Sequence, residues 1–111
     1  MQYFLGIDLG GTIIKAGLYD ESGAETAVCE HSANLLSEQE GFAERNMEEL
    51  WQSVCTVTKG VIAKAQINKN DVKGISFSSH GKGLYAIDKE GKPVRNGIIS
   101  SDTRAVNQVL E

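Results

Sequence analysis

FLGIDLGGTIIKAGLY, residues 4–19, is the stretch whose reading decides the fold. An apolar run from Phe4 to Ile7 ends in a carboxylate, Asp8, and meets a Gly10-Gly11-Thr12 turn. A second apolar run, Ile13 to Tyr19, returns at once, interrupted by Lys15. Runs of this length bounded by glycine are strands, and the short return makes them a β-hairpin. Glycine lets the turn adopt backbone angles closed to other residues and lets main-chain N–H groups approach an anion. Asp8, where the first strand runs out, can reach a metal ion or its bound water. Thr12 adds a hydroxyl and Lys15 a positive charge. The alternative is an ordinary hairpin with a glycine turn and two exposed charges. The stretch is not a Walker loop, because no Gly-Lys-Ser/Thr opens a helix. It is not the dinucleotide fingerprint, because a strand follows.

The composition suits a soluble globular domain. Hydrophobic residues make up 41% and charged residues 23% of 111, and the net charge is −4. A mildly acidic chain without a basic cluster argues against nucleic acid or an anionic membrane as partner. No apolar run reaches the length of a membrane span, and the N-terminus carries no secretory pattern. Cys29 and Cys55 are too few for a disulfide framework or a zinc site, so a reduced, cytoplasmic setting is the expectation.

Beyond the hairpin, Asp20-Glu21-Ser22-Gly23 predicts a turn and residues 24–31 a third, more polar strand. His31, late in that strand, reads as a surface histidine. A polar connection over 32–45 follows. Asn46 is an N-cap, and Glu49 can complete a capping box. A helix then runs from about Met47 to about Gln66. Its apolar stripe includes Met47, Leu50, Trp51, Val54, Val57 and Val61, with Trp51 expected in the core. Gly60 within it predicts close packing against the sheet. Residues 68–71 turn, and Val72 to Ser79 form a strand ending in the polar tip His80-Gly81-Lys82-Gly83. A second hairpin is expected around Asp88 to Lys92. Ser101 or Asp102 is expected to cap a closing helix from near Thr103, with Val106, Val109 and Leu110 as its stripe. The pattern βββαβ, closed by so short a helix, reads as the N-terminal piece of a longer protein.

Four segments in this order, GIDLGGTIIKAGLYD, GFAERNMEELW, GISFSSHGKGLYAIDKEGKP and SSDTRA, resemble the N-terminal portion of FGGY-family carbohydrate kinases over almost the whole chain. Within the family, the glycine pair, HGKGL at 80–84 and SSDTRA at 100–105 look most like the kinases of L-xylulose and 3-keto-L-gulonate. The resemblance implies an α/β fold of the actin-like, ribonuclease H-like ATPase type, its mixed sheet opening with three antiparallel strands. Residues 1–111 would form the N-terminal part of the first, sugar-binding lobe, with the second lobe absent from the chain. It implies ATP and Mg2+ as cofactors, and phosphorylation of a ketose or keto sugar acid.

Carried over by position, Asp8 is the family's first-strand aspartate, acting through magnesium. Gly10, Gly11 and Thr12 match the phosphate-facing turn, and Lys15 stands where relatives often carry a basic residue. Gly81 and Lys82 match the pair that touches the sugar, with His80 orienting them. Asp102 and Arg104 match the family's D-x-R stretch. Glycine at 81 departs from the pattern, since it supplies no side chain and shifts the sugar contact to Lys82. The general-base aspartate and the adenine-binding lobe are expected beyond this chain, so the 111-residue piece is expected to be inactive alone. Two other readings remain open here: a non-catalytic sugar-binding or assembling module, and another actin-fold ATPase regulator. Expected partners are the sugar, ATP, and either a second copy or the remainder of the kinase.

Overall fold

The computed structural model describes residues 1–110. The hairpin forms as its alternation demands. Strand β1 (Tyr3–Leu9) pairs antiparallel with β2 (Ile13–Asp20), setting Asp8 opposite Lys15 and Gly6 opposite Gly17. Strand β3 (Glu25–Ser32) adds antiparallel to β2. The turn between them is organised by the Asp20 carboxylate, which accepts from the Ser22 hydroxyl, Ser22 N and Ala24 N.

These strands belong to one of two compact units, formed by residues 1–33 and 51–80. Alternation along each strand sends one set of side chains to each face of the sheet. Leu5 and Ile7 from β1, Ile14, Ala16 and Leu18 from β2, and Ala27 from β3 are all buried. Helix α1 (Met47–Ala65) contributes Val54, Val57 and Val61 to this core, at steps of three and four residues. Each fully buried side chain of this kind contributes about 1.5–3 kcal/mol relative to exposure. Helix α1 begins at a true cap: Glu49 N donates to Asn46 Oδ1 at 2.9 Å. Gly60 does mark close approach, because a Cβ there would stand 2.7 Å from Cys29 Sγ on β3. Lys64 Nζ donates to Val28 O at 3.0 Å, a further tie to the same strand.

A 3-10 turn at Lys69–Asp71, capped by the Asn68 side chain, leads into β5 (Val72–Ser79). This strand lies parallel to β1, giving the order β3-β2-β1-β5. A parallel neighbour needs a crossover rather than a hairpin, and α1 with its flanks supplies it.

One burial expectation is corrected. Trp51 is 56% exposed rather than in the core. Helical period identifies the apolar face of α1, not how far the sheet extends beneath it. Ile75 and Phe77 are also exposed although their register partners, Leu5 and Ile7, are buried. They stand on the edge strand, with no element hydrogen-bonded to its far side among the described residues.

The second unit comprises residues 34–50 and the chain from 81 onward. The connection expected over 32–45 ends in a short strand, β4 (Glu44–Arg45), antiparallel to β6 (Gly97–Ile98). Leu84 bridges Ile98 from the other side. The second hairpin is present as a turn rather than a ladder: Asp88 accepts from Glu90 N and Lys92 N, and one bridge joins Ile87 to Pro93. Ala43, Arg45 and Ile99 are buried in this unit. The Tyr85 ring packs on Gly97, burial raises its hydroxyl pKa, and the charge of Arg45, then a hydrogen bond from it, opposes that. Helix α2 starts at Val106 rather than near Thr103 and is followed to Leu110. Val106 and Val109 are exposed, while the Leu110 side chain and Glu111 lie outside the described residues. The expected Asp102 cap is not formed toward α2; its carboxylate is engaged elsewhere, as described next.

Candidate functional site

The predicted site residues fall in both units, and each group has its own geometry. In the first unit, Gly10 N donates to Ile13 O at 3.1 Å and closes the hairpin turn. A Cβ at Gly10 would stand 2.7 Å from that same carbonyl, so the turn admits only glycine there. At Gly11 the corresponding space is open, and Thr12 is exposed beside it. The tip is therefore bare of side chains at two successive positions. Neither glycine takes the left-handed backbone that glycine alone adopts freely, so what the turn offers is close approach to bare backbone, with the Gly10 N–H already spent on Ile13 O.

Asp8 is exposed on the sheet face opposite the core. It borders a shallow cleft of about 350 Å³, together with Lys15, Ser76 and Ser78, and the Tyr19 ring lies across Gly17 within it. Lys15 pairs with Glu30, its neighbour on β3, at 3.4 Å. Its charge is thus directed along the sheet, and contact with a phosphate would require it to change partner. His80 closes the end of β5: its N–H and its Nδ1 both donate to Leu9 O, at 3.0 and 3.1 Å. The imidazole is anchored one residue beyond Asp8.

Among the described residues, no group of three His, Cys, Asp or Glu side chains could hold a metal. Mg2+ commonly takes only one or two protein carboxylates and completes its shell with phosphate oxygens and water. An exposed Asp8 beside a bare glycine turn fits an ion that arrives with a nucleotide.

In the second unit, Asp102 and Arg104 are brought together and are joined by a residue that sequence reasoning assigned no role, Glu44. Arg104 Nε and Nη2 donate to the Asp102 carboxylate at 2.7–3.0 Å, and Nη2 also reaches Glu44 Oε2 at 2.5 Å. Asp102 further accepts from Ala43 N at 2.7 Å and from Arg104 N at 3.0 Å. Glu44 accepts from Arg95 at 3.0 Å and Asn96 at 3.2 Å. The Phe42 ring lies under the guanidinium, 3.7 Å from centroid to Cζ. Side-chain exposure is 4% for Asp102, 13% for Glu44 and 21% for Arg104. Both Asp102 oxygens are therefore occupied by protein donors. A sugar hydroxyl could reach that carboxylate only by displacing one of them. A bidentate clasp by Arg104 on a ligand carboxylate is equally closed, because the Nε–Nη2 edge that would make it already holds Asp102.

Lys82 stands outside this network and makes no ion pair among the described residues. Its φ is +61°, a left-handed backbone that costs a non-glycine residue about 1–2 kcal/mol. Gly81 before it faces open space. No local signal reveals Glu44 as a partner of residues 51 and 60 positions away.

The Arg104 hydrogen bonds hold the Asp102 carboxyl well below the usual carboxylate range, and the Ala43 N–H adds to this. Arg104 and then Asn96 lower Glu44 likewise, and the two carboxylates raise Arg104. A depressed folded-state value means stability that is present above the unfolded carboxylate value and lost as pH falls toward the folded one. Thermal melts from about pH 7 to pH 2 should therefore show the midpoint falling below about pH 5. In Asp102→Asn the fall should be shallower and start from a lower midpoint at neutral pH, the two curves converging in acid. Parallel curves would show that the network does not govern acid stability.

Residues 3–111 match the N-terminal domain of the FGGY family of carbohydrate kinases. The chain is 45% identical over 111 residues to a probable L-xylulose kinase of Pasteurella multocida, covering all of this chain and 23% of that one. It is 44% identical over 108 residues to the L-xylulose/3-keto-L-gulonate kinase of Escherichia coli, covering 97% and 22%. Among solved structures, the gluconate kinase of Lactobacillus acidophilus superimposes with a TM-score of 0.90 at 26% identity, covering 98% of this chain and 22% of that one. The chain thus spans about a fifth of the length of these relatives. A mixed sheet with a glycine turn after Asp8, and a family match over residues 3–111, lead to one conclusion: the chain belongs to the FGGY family of carbohydrate kinases, within its N-terminal domain.

Proposed function

We propose that this chain is the N-terminal part of a kinase that transfers the γ-phosphoryl group of ATP to a hydroxyl of a ketose or keto sugar acid, with L-xylulose and 3-keto-L-gulonate as the leading substrates. The observation that carries this reading is the 44–45% identity, over essentially the whole chain, to proteins named for those two sugars.

In such a transfer the sugar hydroxyl gives its proton to a general base outside this stretch, its oxygen forms a bond to the γ-phosphorus, the bond to the β,γ-bridging oxygen breaks, and ADP leaves. The transition state is stabilised by positioning and by charge around the phosphoryl oxygens rather than by covalent protein chemistry. Mg2+, when bound with ATP, supplies neutralisation of that charge. On this reading Asp8 would hold the ion or its water, and the Gly10-Gly11-Thr12 turn would let phosphate approach bare backbone and the Thr12 hydroxyl. Lys15 can join them by releasing Glu30. On the sugar side, Lys82 on the open Gly81-Lys82 tip donates from its ammonium, and Arg104 donates from the part of its guanidinium that Asp102 and Glu44 leave available. His80, anchored to Leu9 O, fixes the start of that tip.

The test is an ADP-release assay on a full-length kinase carrying this sequence as its N-terminal stretch. L-xylulose or 3-keto-L-gulonate should be phosphorylated with kcat/KM at least ~10-fold above glycerol, since a site built to hydrogen-bond several oxygens rejects a ligand lacking them. ADP release independent of any sugar, or glycerol as the best acceptor, would overturn the assignment.

A further inference from the structure

Four consecutive residues, 42–45, brace the 97–104 stretch. Arg45 and Glu44 pair with Gly97 and Ile98 as strands, and Ala43 O accepts from Ile99 N at 3.1 Å. Ala43 N holds Asp102, the Phe42 ring underlies Arg104, and the Glu44 carboxylate holds the Arg104 Nη2. These contacts differ in what they can fix. Asp102 is two residues from Arg104 on the same loop, so their ion pair moves with the loop. Glu44 is 60 residues away on β4, so its contact ties the guanidinium to a different element.

The bonds also set what Arg104 can offer a ligand. A guanidinium has five N–H groups in a planar fork. The Nε–H and both Nη2 hydrogens point to Asp102 and Glu44, leaving the Nη1 pair. Two carboxylates, Asp102 and Glu44, face two guanidinium groups, Arg95 and Arg104, so the cluster carries no net charge. A guanidinium balanced in this way is a poor counter-ion and a good fixed donor.

We infer that Glu44 is a positioning residue for the sugar site: with Phe42 beneath, it orients Arg104 so that Nη1 donates to a neutral sugar oxygen, a hydroxyl or the keto group, and not to a carboxylate. The inference rests on the reading that Arg104 belongs to the sugar site, and it adds how Arg104 is aimed and which ligand atom it takes.

The experiment uses a full-length kinase carrying this sequence and compares Glu44→Gln, Arg104→Met and the double variant. Glu44→Gln keeps the side-chain shape but removes the charge that holds Nη2. Its KM for the sugar should rise at least about tenfold, the loss expected when a charged hydrogen-bonding group is no longer aimed. KM for ATP should be unchanged and kcat should stay within about twofold, because the contact serves binding of the sugar alone. Arg104→Met should raise sugar KM by at least as much, and adding Glu44→Gln to it should cost nothing further, because the residue being positioned is gone. Arg95→Met removes the exposed half of the cluster and should leave sugar KM as in the parent. If Glu44→Gln does not fold, Phe42→Leu removes the ring beneath the guanidinium while filling its space and should raise sugar KM in the same direction. Additive losses in the double variant, or a lowered melting temperature with unchanged sugar KM, would overturn the inference while Arg104→Met still raised KM. If Arg104→Met left KM unchanged, the placement of Arg104 in the sugar site would fail instead, and the inference with it.

Discussion

Replacing Asp8 by alanine in a full-length kinase carrying this N-terminal stretch should lower kcat by about 10³-fold, the scale of losing one group that stabilises transition-state charge. Sugar affinity, measured by calorimetry in the absence of nucleotide, should stay within about twofold, because the loss falls on the transition state and not on ground-state sugar binding. The argument begins with geometry. Asp8 is the last polar residue of β1 before a turn that has no side chains at positions 10 and 11, and it is exposed rather than tied into the sheet. Its neighbour across the strand, Lys15, pairs with Glu30 instead, so the Asp8 carboxylate is not neutralised by the obvious local cation. Asp8→Asn separates charge from shape: it should be nearly as damaging as alanine, since a neutral amide is a poor ligand for Mg2+. A kcat within a few-fold of the parent in both variants would remove Asp8 from the phosphoryl-transfer apparatus.

The second large effect concerns Lys82. Lys82→Met should weaken binding of a sugar acid by about 10–100-fold, the equivalent of one charge-assisted hydrogen bond of about 1.5–3 kcal/mol. A neutral ketose should lose no more than a few-fold. The asymmetry follows from the neighbouring network. Arg104 is already balanced by Asp102 and Glu44, whereas Lys82 makes no ion pair among the described residues. Of the two cations assigned to the sugar side, Lys82 is the one that no carboxylate balances among the described residues. Its left-handed backbone, next to an open Gly81, is maintained at a conformational cost, as is frequent where a side chain must be presented to a ligand. Isothermal titration with 3-keto-L-gulonate and L-xylulose on parent and variant reads the difference directly. Equal losses for both ligands would make Lys82 a general hydroxyl donor, and no loss for either would place it outside the pocket.

The contrast between these residues shows what the chain discloses in one dimension. The hairpin over 4–19, the strand at 72–79 and helix α1 are properties of short windows: alternation of side chains across a strand, a three-to-four residue step around a helix, and a capping asparagine at 46. Their extents emerge within a residue or two because such periods depend on neighbours in the chain. The parallel placement of β5 beside β1 follows from the helix between them, which makes a hairpin impossible, whereas the exposure of Trp51 and Phe77 and the short β4–β6 pair depend on where elements end up. The site divides in the same way. Asp8 and its glycine turn could be read from the sequence because a strand end and a tight turn are local. Asp102 could be named as a candidate but its partners could not: as a residue type it is an acceptor able to bind a hydroxyl or cap a helix. Only the folded chain places Ala43 N and Arg104 on its oxygens and brings Glu44, from 60 residues upstream of Arg104, to complete the cluster. Local order follows from side-chain periodicity and backbone stereochemistry, whereas the partners of a buried charge are decided by chain topology, because a desolvated carboxylate or guanidinium must find its opposite wherever the fold delivers it.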